Sequence, residues 1–167
     1  MSDPAPPINA VRVITAVLGA LVLFSVLSQV LEYTLVRTVG GESVSSMAAY
    51  FAVLNRPPVL AAKVVINAFV AVLAGYMSGK VAGTREVTFT GIAAAAESCS
   101  LAWGFMTGEY VALPIWMRTL LLVTTGPAML AGAWIRMKAR LALESSPVPP
   151  AAAAGSSAGS NTGRETS

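Results

Sequence analysis

Long uncharged apolar runs dominate the chain, separated by short clusters of charged residues, prolines and glycines. A helix needs about 20 mostly apolar residues to cross a hydrocarbon core about 30 Å thick, at a rise of about 1.5 Å per residue. Four runs meet that need. The first covers about 12–36, and Val13–Leu31 holds nineteen residues without a charge. The second covers about 58–81 and opens on Pro57-Pro58, a pair that suits a helix's first turn. The third, about 87–108, is interrupted once, by Glu97. The fourth, about 112–136, has Pro114 in its first turn and seventeen uncharged residues from Thr119 to Ile135. Gly126-Pro127 predicts a kink near its middle. The pattern predicts an all-α fold, a polytopic four-transmembrane-helix bundle. The first run exceeds the roughly 7–15 residues of a signal-peptide core, which favours a retained helix over a cleaved one.

Basic residues near the span ends set the expected orientation. Arg12, Lys80, Arg85, Arg136, Lys138 and Arg140 fall on one side, and Arg37 and Arg56 on the other. Both termini are therefore expected in the cytoplasm, with residues 1–11 as a short N-terminal segment. Between the first two spans, the segment 45–55 holds an apolar run, Met47–Leu54, that carries Tyr50 and Phe51. Ser45 or Ser46 suits an N-cap, and Asn55 with Pro57 a stop. This predicts a short helix at the outer interface, either a connector or a lid. Residues 144–167 are mostly Pro, Ala, Gly and Ser, a composition that predicts a disordered cytoplasmic tail.

Composition agrees with this picture. Hydrophobic residues make up 55% of the 167 and charged residues only 11%, against about 25% charged in soluble domains. Mean hydropathy is +0.69 and the pI about 9.4. The net charge of +3 follows the topology and is no nucleic-acid footprint. There is no histidine and a single cysteine, Cys99. Histidine acid–base chemistry, the usual zinc sites and an intramolecular disulfide are thereby excluded. No HExxH, CxxC, Walker loop or dinucleotide fingerprint occurs. The expectation is a non-enzymatic protein without cofactor or metal, with Cys99 as a small packing residue.

Two constellations remain. Ala71, Gly75, Gly79 and Gly83 recur every four residues on the second helix. Small residues at that spacing make a groove for a closely approaching helix, either within the bundle or in a homodimer or other membrane protein. The second constellation is polar. Glu97 falls at the membrane midplane and Asn67 just outside it; Lys63 and Arg118 lie roughly 10 Å outward and Glu32 about 12 Å outward. Ser25, Gln29 and Glu32 share a face of the first helix. Glu109 lies near the outer mouth. Charges at such depth are expensive unless paired or hydrated. The depths predict that Glu97 pairs with Lys63 or Arg118, with Asn67 or Gln29 hydrogen bonded nearby. As structure, Gln29, Glu32, Lys63, Asn67, Glu97 and Arg118 are polar glue, or Lys63, Arg118 and Glu32 snorkel outward. As function, they line a cavity with Glu97 as a proton or cation site.

Three segments carry a resemblance: Gly75-Tyr76 through Gly83 followed by Arg85, Pro114-Ile115-Trp116, and Pro127 with Gly132 and Arg136. Over about residues 10–140 the chain resembles small four-span bacterial inner-membrane proteins of unassigned function. That resemblance implies a multi-pass protein of the bacterial inner membrane and supplies no catalytic residues. The leading expectation is an accessory or assembly component that packs through the small-residue row, with the lipid bilayer as its constant partner. The alternative is a small proton- or cation-linked transporter or channel using Glu97.

Overall fold

The computed structural model describes residues 10–41, 44–107 and 113–145. Among them the chain is all-helical: α1 (Ala10–Gly40), α2 (Met47–Leu54), α3 (Pro57–Ala82), a 3-10 turn (Gly83–Arg85), α4 (Glu86–Thr107) and α5 (Ile115–Glu144). Residues 1–9, Glu109 and the tail beyond residue 145 lie outside the described residues. Three helices, α1, α3 and α5, are long and apolar enough to cross a membrane. The 22 residues of α4 have the length, but Glu97, its serines and its threonines keep its hydropathy lower.

Size sorting runs opposite to that of a water-soluble bundle. Only 17% of the apolar window of α1, 28% of that of α5 and 44% of that of α3 is buried. Ile14, Leu18, Val22, Val26 and Val30 form an exposed stripe down α1. The middle of the bundle is instead built from Ala20, Ala71, Ala74, Ala93 and Ala94, with Phe24, Val70 and Met129. Large apolar side chains outward and small ones inward is the arrangement lipid favours, because tails solvate leucine as well as a core does and only close backbone approach adds attraction.

Helices α3 and α5 approach most closely where both lack a side chain. A Cβ added to Gly75 would overlap the Met129 backbone, and one added to Gly132 would lie 2.7 Å from the Tyr76 nitrogen. Gly79 is less tightly held, with Ala133 Cα and Arg136 Cβ each 3.5 Å from its would-be Cβ. The small-residue row on α3 is thus covered by α5 of the same chain. Gly83 ends the row for a different reason. Its φ of +76° closes the turn into α4, a conformation that glycine adopts without a Cβ penalty.

The turn end of the bundle is clasped by Glu86, buried in the first turn of α4. Arg140 donates to it through Nε (2.9 Å) and Nη2 (3.4 Å), and through Nη1 to Glu144 (2.9 Å). Hydrogen bonds to Glu86 and then Glu144 raise the Arg140 pKa above its ordinary value. These bonds tie α5 as it continues past residue 136, so Glu144 closes a helix where the tail was expected to begin.

At the other end, α2 is capped as its sequence suggests. The Ser46 hydroxyl accepts from the Ala49 N–H (3.2 Å), and the Asn55 N–H closes the last turn on the Phe51 carbonyl. Its Val53 and Leu54 are buried with Val36, Leu60, Met117 and Leu121. The short helix therefore plugs the end of the bundle.

Candidate functional site

Beneath the α2 plug lies a cavity of about 310 Å³ between α1, α3 and α4, closed on one side by Leu121 of α5. Its charged and amide lining is Gln29, Glu32, Lys63, Asn67 and Glu97. Ser25, Ser28 and Ser100 add hydroxyls, while Phe24, Leu101, Trp103 and Phe105 supply apolar wall. Helical periodicity accounts for the contribution of α1. Ala16, Ala20, Phe24, Ser28, Glu32 and Val36 are its buried residues, each four apart, so one seam carries small residues at one end and polar ones at the other. On α3, Lys63 and Asn67 continue the same row that becomes Ala71, Gly75 and Gly79.

The ion pair differs from the one expected. Lys63 Nζ meets Glu32 Oε2 at 2.5 Å, and both side chains are more than nine-tenths buried. Neither snorkels. Tyr50 of α2 donates its hydroxyl to Glu32 Oε1 (2.7 Å), so the plug is latched to the ion pair. The physical reason is depth. Lys63 and Glu32 sit at nearly one level, whereas Glu97 lies roughly 10 Å deeper, beyond easy reach of a lysine already engaged.

Arg118 does not join the cluster. Its Nη1 donates to the Phe105 carbonyl (3.0 Å), in the last turn of α4, where backbone carbonyls lack helical donors. It lines a separate, shallower depression with Phe105, Met106, Ile115 and Thr119.

Glu97 is 6% exposed, and among the described residues no ion pair or hydrogen bond reaches it. The predicted Glu97 pairing with Lys63 or Arg118 is thus replaced by Glu32–Lys63, Arg118–Phe105 and a carboxylate facing the cavity. The buried Asn67 also lacks such a partner among the described residues, and so does the Ser28 hydroxyl oxygen. Ser25, Gln29, Ser100 and Trp103 are the exposed members of the lining, and all lie on α1 or α4. The cavity therefore opens sideways between those two helices. Cys99 is exposed on α4 and does not pack in the core.

Three residues were missed by sequence reasoning. Ser28 was detectable from the four-residue seam of α1. Tyr50 was read only as an interfacial aromatic, and nothing local signals its bond to Glu32. Glu86 has no sequence signal beyond its place at the start of α4. No group of three or more potential metal ligands of the His, Cys, Asp or Glu type occurs among the described residues.

Fold and site together define a helical protein with helices apolar enough to cross a membrane and, between them, a cavity whose lining mixes polar and aromatic side chains. Comparison with protein-family models, curated proteins and solved structures finds no match.

Proposed function

We propose that this is a four-span integral membrane protein with both termini cytoplasmic, working as a small proton- or cation-linked carrier with Glu97 as the binding carboxylate. In this reading α1, α3, α4 and α5 are the spans, and α2 faces the outer side, as the distribution of basic residues favours. One observation carries the function: a buried carboxylate, without ion-pair or hydrogen-bond partner among the described residues, faces a cavity near mid-span. Ionisable groups at that depth are expensive, and function is the usual reason they are kept.

The ends of the site fit an occluded carrier. Toward the outside it is covered by α2, held through Tyr50 to the Glu32–Lys63 pair. Toward the inside it meets the alanine layer of Ala20, Ala71, Ala74 and Ala93. The inside face offers no charged relay to a proton, so passage requires the helices to move rather than a standing pore. An assembly component docking through the α3 row has less support, because α5 already fills that row.

The test is labelling of Glu97 by dicyclohexylcarbodiimide, which attacks a protonated carboxyl from an apolar or cavity surface. The Glu97→Gln variant serves as the blank. Labelling that declines as pH rises is expected, since it shows Glu97 exchanging its proton. Absence of labelling from mildly acidic to alkaline pH would overturn the carrier reading.

A further inference from the structure

We infer that the cavity binds a small organic monocation, an amine or quaternary ammonium bearing an aromatic or short alkyl group, which reaches Glu97 sideways between α1 and α4. The inference rests on the carrier reading and names its ligand.

Charge comes first. Glu32 and Lys63 neutralise one another within the wall. Glu97 then leaves one negative charge facing the space, which matches one positive charge and no more. Size comes second. At about 310 Å³ the cavity stands at the small end of the roughly 300–1,000 Å³ range of organic-ligand pockets. A bare inorganic cation would rattle there. Hard cations gather about six or more oxygens in a close shell, and a single carboxylate with scattered hydroxyls does not build one.

The character of the walls comes third. Among the polar groups stand Phe24, Trp103 and Phe105, with Leu101 and Leu121. Aromatic faces attract organic ammonium groups, and apolar walls take the attached carbon. Ser28, nine-tenths buried and with no hydroxyl partner among the described residues, lines the same space, as does Asn67. Both suit an N–H donor or a polar substituent. The route comes last. The α2 plug closes the end of the bundle, while the exposed rim residues Ser25, Gln29, Ser100 and Trp103 lie along the α1–α4 seam. A ligand with an apolar portion partitions into the bilayer and meets that seam directly.

The experiment is equilibrium dialysis of radiolabelled benzyltrimethylammonium against the full-length purified protein in detergent. Sodium ion and neopentylbenzene, the neutral isostere, serve as competitors. Saturable binding is expected, displaced by unlabelled benzyltrimethylammonium and by neither competitor at equal concentration. Glu97→Gln should weaken it at least tenfold. Trp103→Ala, at an exposed rim position that leaves the core intact, should weaken it about 2- to 5-fold, as a cation–π contact at an accessible site predicts. Helix content by circular dichroism checks each variant. Should Glu97→Gln fail to fold, Trp103→Ala carries the test.

Absence of saturable binding, equal displacement by neopentylbenzene, or equal affinity in Glu97→Gln and Trp103→Ala would overturn the inference. If Glu97 nevertheless labels with pH-dependent carbodiimide chemistry, the carrier reading stands and only its ligand is wrong. If labelling also fails, the reading falls with the inference.

Discussion

The two halves of the bundle solve the same packing problem in opposite ways. In the half away from α2, Gly75 and Gly132 remove side chains altogether, so that the α3 and α5 backbones touch. In the half under α2, Lys63, Glu32, Phe24 and Leu101 hold the helices apart, leaving a cavity between them. The seams are continuous: one row on α3 runs from Lys63 and Asn67 to Gly75 and Gly79, and one on α1 from Glu32 and Ser28 to Ala20 and Ala16. A gradient in side-chain size along two helices thus creates a tight hinge at one end and a chamber at the other. The chamber half should be sensitive to loss of charge, and the tight half to gain of volume.

The largest expected effect lies in the chamber half. Lys63→Met leaves the Glu32 carboxylate buried beside the Tyr50 hydroxyl without its cation, and removal of one partner from a buried pair typically costs about 3–5 kcal/mol. Unfolding in detergent, followed by circular dichroism, measures it. The double variant Glu32→Gln with Lys63→Met should be less damaged than Lys63→Met alone, since no charge is then stranded. If the double variant is as unstable as the two single losses combined, the pair is not the coupled unit drawn above.

In the tight half the matching change is one methyl group. Gly132→Ala places a Cβ against the α3 backbone near Val72 and Tyr76, which no rotamer change relieves. The loss should reach the upper end of the roughly 1–3 kcal/mol usual for overpacking. Gly79→Ala puts its methyl at ordinary contact distance, 3.4 Å or more from its neighbours, and should change stability by less than about 1 kcal/mol. Thermal melting of both variants beside the parent protein checks the ranking, and a reversed order would mean that the crossing point lies elsewhere on α3.

The contrast between the halves was partly legible in the sequence. Helix positions followed from run length and hydropathy, because lipid demands about 20 apolar residues whatever the fold. The glycine row announced a close approach but not its occupant, since GxxxG spacing looks alike whether the partner is α5 or another chain. Depth along each helix could be computed, and it placed Glu32 and Lys63 at one level. Rotation about each axis could not, and it is rotation that turns Arg118 toward the end of α4 and leaves Glu97 facing the cavity. Ser28 escaped notice because a lone serine in an apolar helix usually bonds its own backbone. Tyr50 lies 18 residues from Glu32, and only the folded plug brings them together.

A smaller effect sharpens the role of α2. Tyr50→Phe removes one hydrogen bond to a carboxylate while keeping the ring against Phe51. A loss near the lower end of the roughly 1.5–3 kcal/mol usual for a bond to a charged group is expected, since this one is only partly buried. If α2 acts as a gate, the variant should also speed carbodiimide labelling of Glu97, a readout that simple loss of stability below the melting range would not move. Unchanged labelling with reduced stability would make α2 a structural plug only.

The smallest effect separates the halves most cleanly, because it compares two serines of equal chemistry. Ser28 and Ser78 are both buried, and neither hydroxyl oxygen has a protein partner among the described residues. Ser78 lies in the tight half, where an unsatisfied hydroxyl carries its desolvation penalty without return. Ser78→Ala should therefore stabilise the protein by about 1 kcal/mol. Ser28 lines the chamber, where a turn of its side chain would bring the hydroxyl to water held there. Ser28→Ala should leave stability within about 0.5 kcal/mol of the parent, the range of substitutions that remove no packing. Binding of benzylammonium, which carries N–H donors, should respond the other way, weakening in Ser28→Ala and holding constant in Ser78→Ala. A serine kept for the fold alone would move the melting curve and not the isotherm, so equal isotherms for the two variants would remove Ser28 from the site.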